Sequence, residues 1–508
     1  MSWFRLPGTV PWLTLAMVVP LAGALLVALA PREARTVIKQ IGVLAAGITL
    51  LLVLAIIGGF QQGVGNLQFQ FEESLKWIPA VGISYHVGVD GLSLFLLGLN
   101  ALLFLIAVSI TDPTLPRLKQ FVLLLLILEA ATTGILLALD LVLFYVFWEA
   151  MLVPLYFLIG VWGEGQRVYA AFKFLLYTVV GSFAMLVAIL GVAAFNFSQT
   201  GTLSFDWTVL VHHPASGNWH PNTLINVGIP QLLYLGFALA FAIKMPIFPL
   251  HTWLPSAYTA SPIPVVIVFS GLVSKLGAYG FLRFNLALFP DAARSLGPAL
   301  AVLATIGILY GAFMALVQVD LKRLVAYASI SHLGFIGLGI FAGNLLGVEG
   351  ALVQMVNHGV IIAALFLVVG MIERRAGTRI RSELRGLGAT APLFAALFLV
   401  VSLAALGLPG LNGFVGEFLI MLGAWTAFVP LAVAAGIGVI LAAWYVLWFY
   451  QGSTQEAPPL PATFGELRLA DTAALAPLLA LMVVIGVTPA FFPAAVEATV
   501  KALPVLLP

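Results

Sequence analysis

The sequence predicts an all-α polytopic membrane protein of about fourteen transmembrane helices, built as two inverted five-helix repeats with breaks in helices 7 and 12. Three observations carry that expectation. The chain is 62% apolar and only 8% charged over 508 residues, with mean hydropathy +1.12, whereas soluble domains carry roughly 25% charged residues. Apolar windows near the ~20 residues that a bilayer requires recur along its whole length. Lysine and arginine concentrate in alternate loops between those windows, as the positive-inside bias demands.

The windows justify themselves in order. The first, 9–30, leads straight into further spans without a small-residue cleavage signature, so it reads as a span and not a signal peptide. Window 41–60 follows, then a polar segment, 61–88, expected to fold over one membrane face. Windows 89–110, 119–139, 141–162 and 168–195 come next; the second of these carries Glu129 (LLILEAATTG), the third Glu149 (FYVFWEAMLVP) and the fourth Lys173. After a second polar segment, 196–228, window 229–254 holds Lys244 inside an apolar run, followed at once by Pro246, Pro249 and Pro255. Prolines remove backbone donors and break a helix. Broken helices at membrane depth persist only where they line a protein-buried or wet cavity. Window 260–287 has Lys275 at its middle and Arg283 near its outer end, where it could snorkel. Windows 296–318, 321–342 and 349–372 follow, the last two carrying His332 and His358. Window 390–422 contains LGLPGLNGFVGEF, which reads as two half-helices joined at Pro409-Gly410, with Glu417 after the break. Windows 427–450 and 472–492 complete the set, separated by 451–471, a loop with a short amphipathic piece.

Asp-Leu opens both span 5 (ALDLVLFYV) and span 10 (VQVDLKRLVAY), and the broken spans 7 and 12 also stand five apart; an odd offset inverts the second unit. Of 22 basic residues, 14 lie in loops on one side and four (Arg5, Lys76, Arg294 and Lys501) on the other, which puts both termini outside the cytoplasm.

Composition also excludes. A net charge of +2 gives no case for a nucleic-acid partner, and the absence of cysteine rules out disulfides and cysteine-ligated iron–sulfur clusters within the chain. No phosphate-binding glycine loop or nucleophile elbow is present, and His212-His213 lacks further ligands at metal spacing, so no metal site is expected. The chemistry therefore rests on buried ionisable groups, which inside membranes mark ion and proton pathways by default. Glu149, Lys244, Lys275 and Glu417 form the candidate proton pathway, with His332, His358 and Glu129 as candidate relay members. Bland readings compete: a protonated packing acid for Glu149 or Glu129, snorkelling for Lys275 and especially Lys173, and a capping carboxylate for Glu417. His251 is a weaker relay candidate, placed where a loop can claim it.

The stretches LDLVLFYVFWEAMLVPLYFLIGVWG, FALAFAIKMPIFPLHTWLPSAY, DLKRLVAYASISHLGF and LGLPGLNGFVGEFL resemble the antiporter-like membrane subunits of respiratory complex I, most of all the M-subunit family, called subunit 4 in mitochondria, with the D subunit of the photosynthetic NDH complex close behind. Mrp-type cation/proton antiporter and membrane-bound hydrogenase subunits are weaker relatives. The resemblance covers roughly residues 85–500. It implies the fourteen-helix fold, divided into helices 1–3 (residues 1–118), a first repeat of helices 4–8 (119–287), a second inverted repeat of helices 9–13 (288–450) and a loop with helix 14 (451–508), with a Glu149–Lys244 ion pair, Lys275 as central lysine, Glu417 as terminal acid, and His332 and His358 between them. It also implies a proton-translocating subunit of NADH:quinone oxidoreductase without a redox cofactor of its own. Flavin, iron–sulfur clusters and quinone are expected in partner subunits, and the partners are neighbouring membrane-arm subunits and the lipid bilayer. The expected location is a bacterial cytoplasmic membrane, or a thylakoid if the complex is photosynthetic. An Mrp-type Na⁺/H⁺ antiporter subunit and a non-conducting linker are the alternatives. Where the family has an acid and a histidine after HTWLP, this chain has Ser256 and Tyr258.

Overall fold

The computed structural model describes residues 6–8, 10–61, 69–213, 228–455 and 465–506. Arg5, His220 and parts of the three polar segments (62–68, 214–227 and 456–464) lie outside the described residues.

Helices α1 (Trp12–Leu29) and α2 (Arg35–Gly59) come first. Strands β1 (Gln70–Ile78) and β2 (Ile83–Val89) then pair antiparallel. The hairpin corrects the all-α expectation. Its β1 is mostly exposed and polar while β2 ends in a buried run, so the pair folds over helix ends and gives no membrane-length signal. Gly82 turns it with φ of 70°, a left-handed geometry that a side chain would resist, and a Cβ there would also collide with the Leu203 carbonyl.

Four apolar helices follow: α3 (Leu94–Ile110), α4 (Leu118–Leu137), α5 (Leu141–Trp162) and α6 (Arg167–Thr200). Asp140 caps α5, accepting from the amides of Val142 (2.9 Å) and Leu143 (3.2 Å). The next span is two pieces, α7 (Ile229–Lys244) and α8 (Trp253–Ala260), with the prolines between and just inside them. Helix α9 (Ile263–Leu288) contains two π-turns, at Phe269–Val273 and Phe281–Asn285. Then come α10 (Pro290–Leu316), α11 (Leu321–Phe341, capped by Asp320) and α12 (Leu345–Ala376, capped by Asn344). A second broken span is α13 (Pro392–Ala405) and α14 (Asn412–Ala427); Gly407 (φ 78°) and Gly410 (φ 94°) make the turn between them. Helices α15 (Val429–Thr454), α16 (Leu469–Val487) and α17 (Phe491–Lys501) end the chain. Among the described residues, no amphipathic helix lies between α15 and α16; the most amphipathic stretch is α17, beyond the last span, where its buried Val496 and Val500 share a face.

Eleven helices among the described residues are long and apolar enough to cross a membrane, and the whole matches a multi-pass membrane architecture. Burial sorts them. The apolar windows of α9 and α11 are 100% enclosed and that of α12 is 94% enclosed, against 33 to 50% for most others. Three polar-bearing helices therefore form a core inside a ring of lipid-facing ones. Enclosure also explains a second correction. Arg283 on α9 does not snorkel: it is 1% exposed and grips Asp90 with two bonds, 2.6 and 2.7 Å. The rings of Phe69, Trp207 and Tyr279 lie 5.0 to 5.4 Å from its guanidinium.

Candidate functional site

Lys244 is the last residue of α7, where the helix gives way to the Pro-rich break, and it is fully buried. The break is held by Trp253, whose indole donates to the Ile243 carbonyl (2.9 Å). Gly277 of α9 lets that break approach, since a Cβ there would stand 2.7 Å from the Met245 amide nitrogen. The Lys244 ammonium lies over the rings of Trp148 (5.0 Å) and Phe174 (5.2 Å) and makes no hydrogen bond.

The Glu149–Lys244 pair expected from the sequence is not closed. No ion pair joins them within 4.0 Å; Glu149 exerts only a coulombic pull on Lys244. The physical reason is local: Trp148, next to Glu149 on α5, turns its ring toward the amine, while Glu149 sits on a partly exposed flank beside Tyr145. An aromatic face can stabilise the cation without satisfying its donors.

Lys275 occupies the middle of enclosed α9 and donates to the Ser270 carbonyl, in the first π-turn. The π-turn matters because it loosens the helical ladder and leaves a carbonyl free for a side chain. His358 on α12 stands within coulombic range of both Lys275 and His332. The two imidazole rings are 5.5 Å apart. His332 Nδ1 lies 2.8 Å from Glu417 Oε1, and the same oxygen accepts from Gln354 (3.1 Å). Tyr445 closes the far side of His332 at 3.3 Å. Both nitrogens of His358 are buried without a hydrogen-bond partner.

Glu417 is not a capping carboxylate, because α14 begins five residues earlier and no side chain caps it. Its place is inside the second broken span, pinned from below by a reciprocal contact in which Asn357 donates to the Asn412 carbonyl (2.6 Å). Glu129 is fully buried on α4 with neither carboxylate oxygen hydrogen-bonded. His251 lies in the first break, stacked on Phe248 (5.5 Å) with the Tyr310 ring tilted against it (4.7 Å). Lys173 is half-buried with its amine 5.7 Å from the Tyr169 ring.

Sequence reasoning missed Trp148, Phe174, Gln354 and Tyr445, ordinary apolar or amide residues whose role appears only when helices come together. It also missed the outer cluster of His86, whose nitrogens meet Asp206 (2.6 Å) and Glu72 (2.8 Å). Asp90 carried the one available signal, an acid directly before an apolar run.

A file of buried ionisable side chains, on enclosed helices and beside two broken ones, defines a membrane protein that moves protons or small cations. Residues 138–442 match the profile of the NADH:quinone oxidoreductase/Mrp antiporter transmembrane family, and the chain belongs to that family. It is 38% identical to NADH-quinone oxidoreductase subunit M of Rhodobacter capsulatus over 489 residues, 94% of this chain and 93% of the relative. It superposes on a chain of respiratory complex I from Thermus thermophilus with TM-score 0.86 and 32% identity, covering 98% of this chain and 100% of that one. A chain of the Mrp complex from Dietzia sp. DQ12-45-1b shares the fold, with TM-score 0.82 over 97% of both chains, at 23% identity.

Proposed function

We propose that the chain is the proton-translocating M-type membrane subunit of a respiratory complex I, moving protons along Lys244, Lys275, His358, His332 and Glu417. The observation that carries this reading is the buried file from Lys275 to Glu417, with Lys275, His358 and His332 on the three enclosed helices and the buried Glu417 meeting His332 from α14. A charge at such depth costs on the order of 3 kcal/mol or more, so a merely structural core would not retain several. Lys244 supplies the switch. With no carboxylate in contact, its charge state follows the distance of Glu149: approach favours the ammonium, withdrawal favours release of a proton. In this scheme protons arrive from the cytoplasmic side at Lys244 and Lys275 and leave outward through Glu417. Electron carriers (flavin, iron–sulfur clusters and quinone) belong to other subunits of the complex, and the neighbours in the membrane are further antiporter-like subunits.

The eleven long helices, with α3, α7 and α13 as shorter apolar spans, support a count of fourteen, with both termini outside the cytoplasm of a bacterial inner membrane. Two inverted repeats draw support from matched joints. Asp140 and Asp320 each cap a helix, and each also pairs across an isolated bridge, with Asp206 and Ile380 respectively, just after the third helix of its unit. Purification through a tag on this chain tests the assignment. Flavin and iron–sulfur subunits in the purified complex bear it out; a set of cation/proton antiporter subunits without redox centres overturns it in favour of an Mrp-type antiporter.

A further inference from the structure

The second π-turn of α9, Phe281–Asn285, contributes no group to the proton file, yet it packs against α7. On α7, successive steps of three, four and three residues back from Lys244 reach Phe241, Phe237 and Tyr234, which places all four on one face of the helix. All four are fully buried. Phe284 of the π-turn stands among these rings: its own ring lies 4.5 Å from that of Phe144 on α5 and 6.0 to 6.1 Å from those of Phe237 and Phe241. Trp148, whose ring carries the Lys244 ammonium, meets Phe144 and Phe241 at 5.5 Å each. Gly280 allows the close approach, since a Cβ there would collide with the Phe241 ring.

Past these rings the character of the interior changes. Phe289 lies 5.8 Å from the Phe237 ring and 6.3 Å from that of Tyr234. Asn285 donates to the Tyr234 carbonyl (3.0 Å), while its Oδ1 and the Tyr234 hydroxyl are buried without a hydrogen-bond partner. Orphaned polar atoms of this kind are what ordered water satisfies. The rings offer a water molecule none of the two to four polar partners it needs. Apolar constrictions close pores by excluding water. A water chain therefore cannot cross from Lys244 to Tyr234, ten residues and about 15 Å apart along α7.

We propose that these rings form the insulating plug of the first repeat, a proposal that rests on the proton-translocating reading above. They deny a proton on Lys244 a direct way to the outer face and send it along the file to Glu417. The matching half-helix of the second repeat lacks such a stack. Beyond Glu417 the buried positions of α14 are Ile420, Gly423 and Ala424, and Asn344 donates to the Gly423 carbonyl (2.8 Å). One broken span is closed by rings beyond its lysine; the other carries small residues and an amide beyond its acid.

The test uses the assembled complex in proteoliposomes without an electron donor, where the decay of an imposed pH gradient reports passive proton flow. Phe241→Ser combined with Phe284→Ser puts hydroxyls where two rings stood, and Phe241→Leu combined with Phe284→Leu keeps apolar bulk there. The expected result is a rise in flow of about tenfold in the serine pair, as about 1.4 kcal/mol off the barrier gives, with the leucine pair near wild type. Adding Lys244→Met to the serine pair removes most of the rise, because the flow passes through that amine. If the serine pair does not assemble, Phe284→Asn, which extends the Asn285 amide by one position, is measured in its place. Wild-type tightness in the assembled serine pair, or in Phe284→Asn, overturns the plug. A leak that persists without Lys244, or that the leucine pair shares, assigns the rings to packing and overturns it too. Protons moved per electron in Lys275→Ala separate the two levels: a loss there leaves the translocation reading standing whatever the leak shows, and a wild-type ratio overturns that reading.

Discussion

Three of the fully buried cations among the described residues are held in three ways, and the differences decide what each can do. Arg283 has a carboxylate with ideal two-pronged geometry, which makes it permanent structure. Lys275 has one carbonyl and Lys244 only aromatic faces, which leaves both amines free to change charge state. Arg283→Met strands the Asp90 carboxylate, and the expected destabilisation is about 3–5 kcal/mol. Adding Asp90→Asn removes the stranded charge and recovers part of it; thermal unfolding of the purified complex reads both. Lys275→Met, by contrast, is expected to leave the unfolding temperature near wild type, because replacing a thinly satisfied buried amine with an apolar chain strands no partner charge. Sequence alone picked out Lys244, Lys275 and Glu417, since a charge inside an apolar run announces itself. It misjudged Arg283, because the residue that claims it, Asp90, lies 193 positions away in the chain. It also expected a closed Glu149–Lys244 contact, because nothing in a one-dimensional pattern reveals that Trp148 turns its ring toward the amine.

Elements show the same division between local signals and contacts at a distance. The broken spans were legible because proline and glycine act on the backbone where they stand: Pro246 and Pro249 after Lys244, Gly407 and Gly410 before Glu417. The β-hairpin was not, because β1 (QFEESLKWI) mixes polar with apolar residues and stays largely exposed. The two matched caps differ in load. Asp320 accepts one helix amide (3.1 Å), whereas Asp140 accepts two and also takes the Ser84 amide (2.9 Å), tying α5 to the hairpin. Asp320→Ala is expected to cost about 1 kcal/mol, and Asp140→Ala more, with added amide exchange in β2 as the distinguishing readout. The hairpin has a second fastening at His86. Burial alone would favour the neutral ring, but the hydrogen bond and charge of Asp206, then those of Glu72, outweigh it and raise the imidazole above its ordinary 6.5. A raised folded value means that this stabilisation is complete below pH 6.5 and is lost as pH climbs through the raised value. Amide exchange over residues 70–89 is therefore expected to quicken between about pH 6 and pH 9, and in His86→Gln to lose that extra pH dependence.

At the scale of the whole molecule, the enclosed helices α9, α11 and α12 carry Lys275, His332 and His358, while Lys244 on α7 and Glu417 on α14 reach the same interior from helices whose other faces are exposed. That arrangement separates two tasks. The outer helices meet lipid with valine, leucine and phenylalanine, while the inner three spend no surface on lipid and can hold groups that lipid would reject. Hydropathy windows revealed that the chain crosses a membrane many times, but enclosure depends on which helix neighbours which, and windows of equal hydropathy cannot rank it. The glycines on α9 and α11, such as Gly277 against Met245, are the packing that brings the file together. The central claim is that protons travel along this file, and one measurement addresses it directly: protons moved per electron by the assembled complex carrying Lys275→Ala, at matched electron-transfer rate. The account predicts a ratio clearly below wild type with the complex intact. A wild-type ratio in that variant, and in Lys244→Ala beside it, would contradict the account.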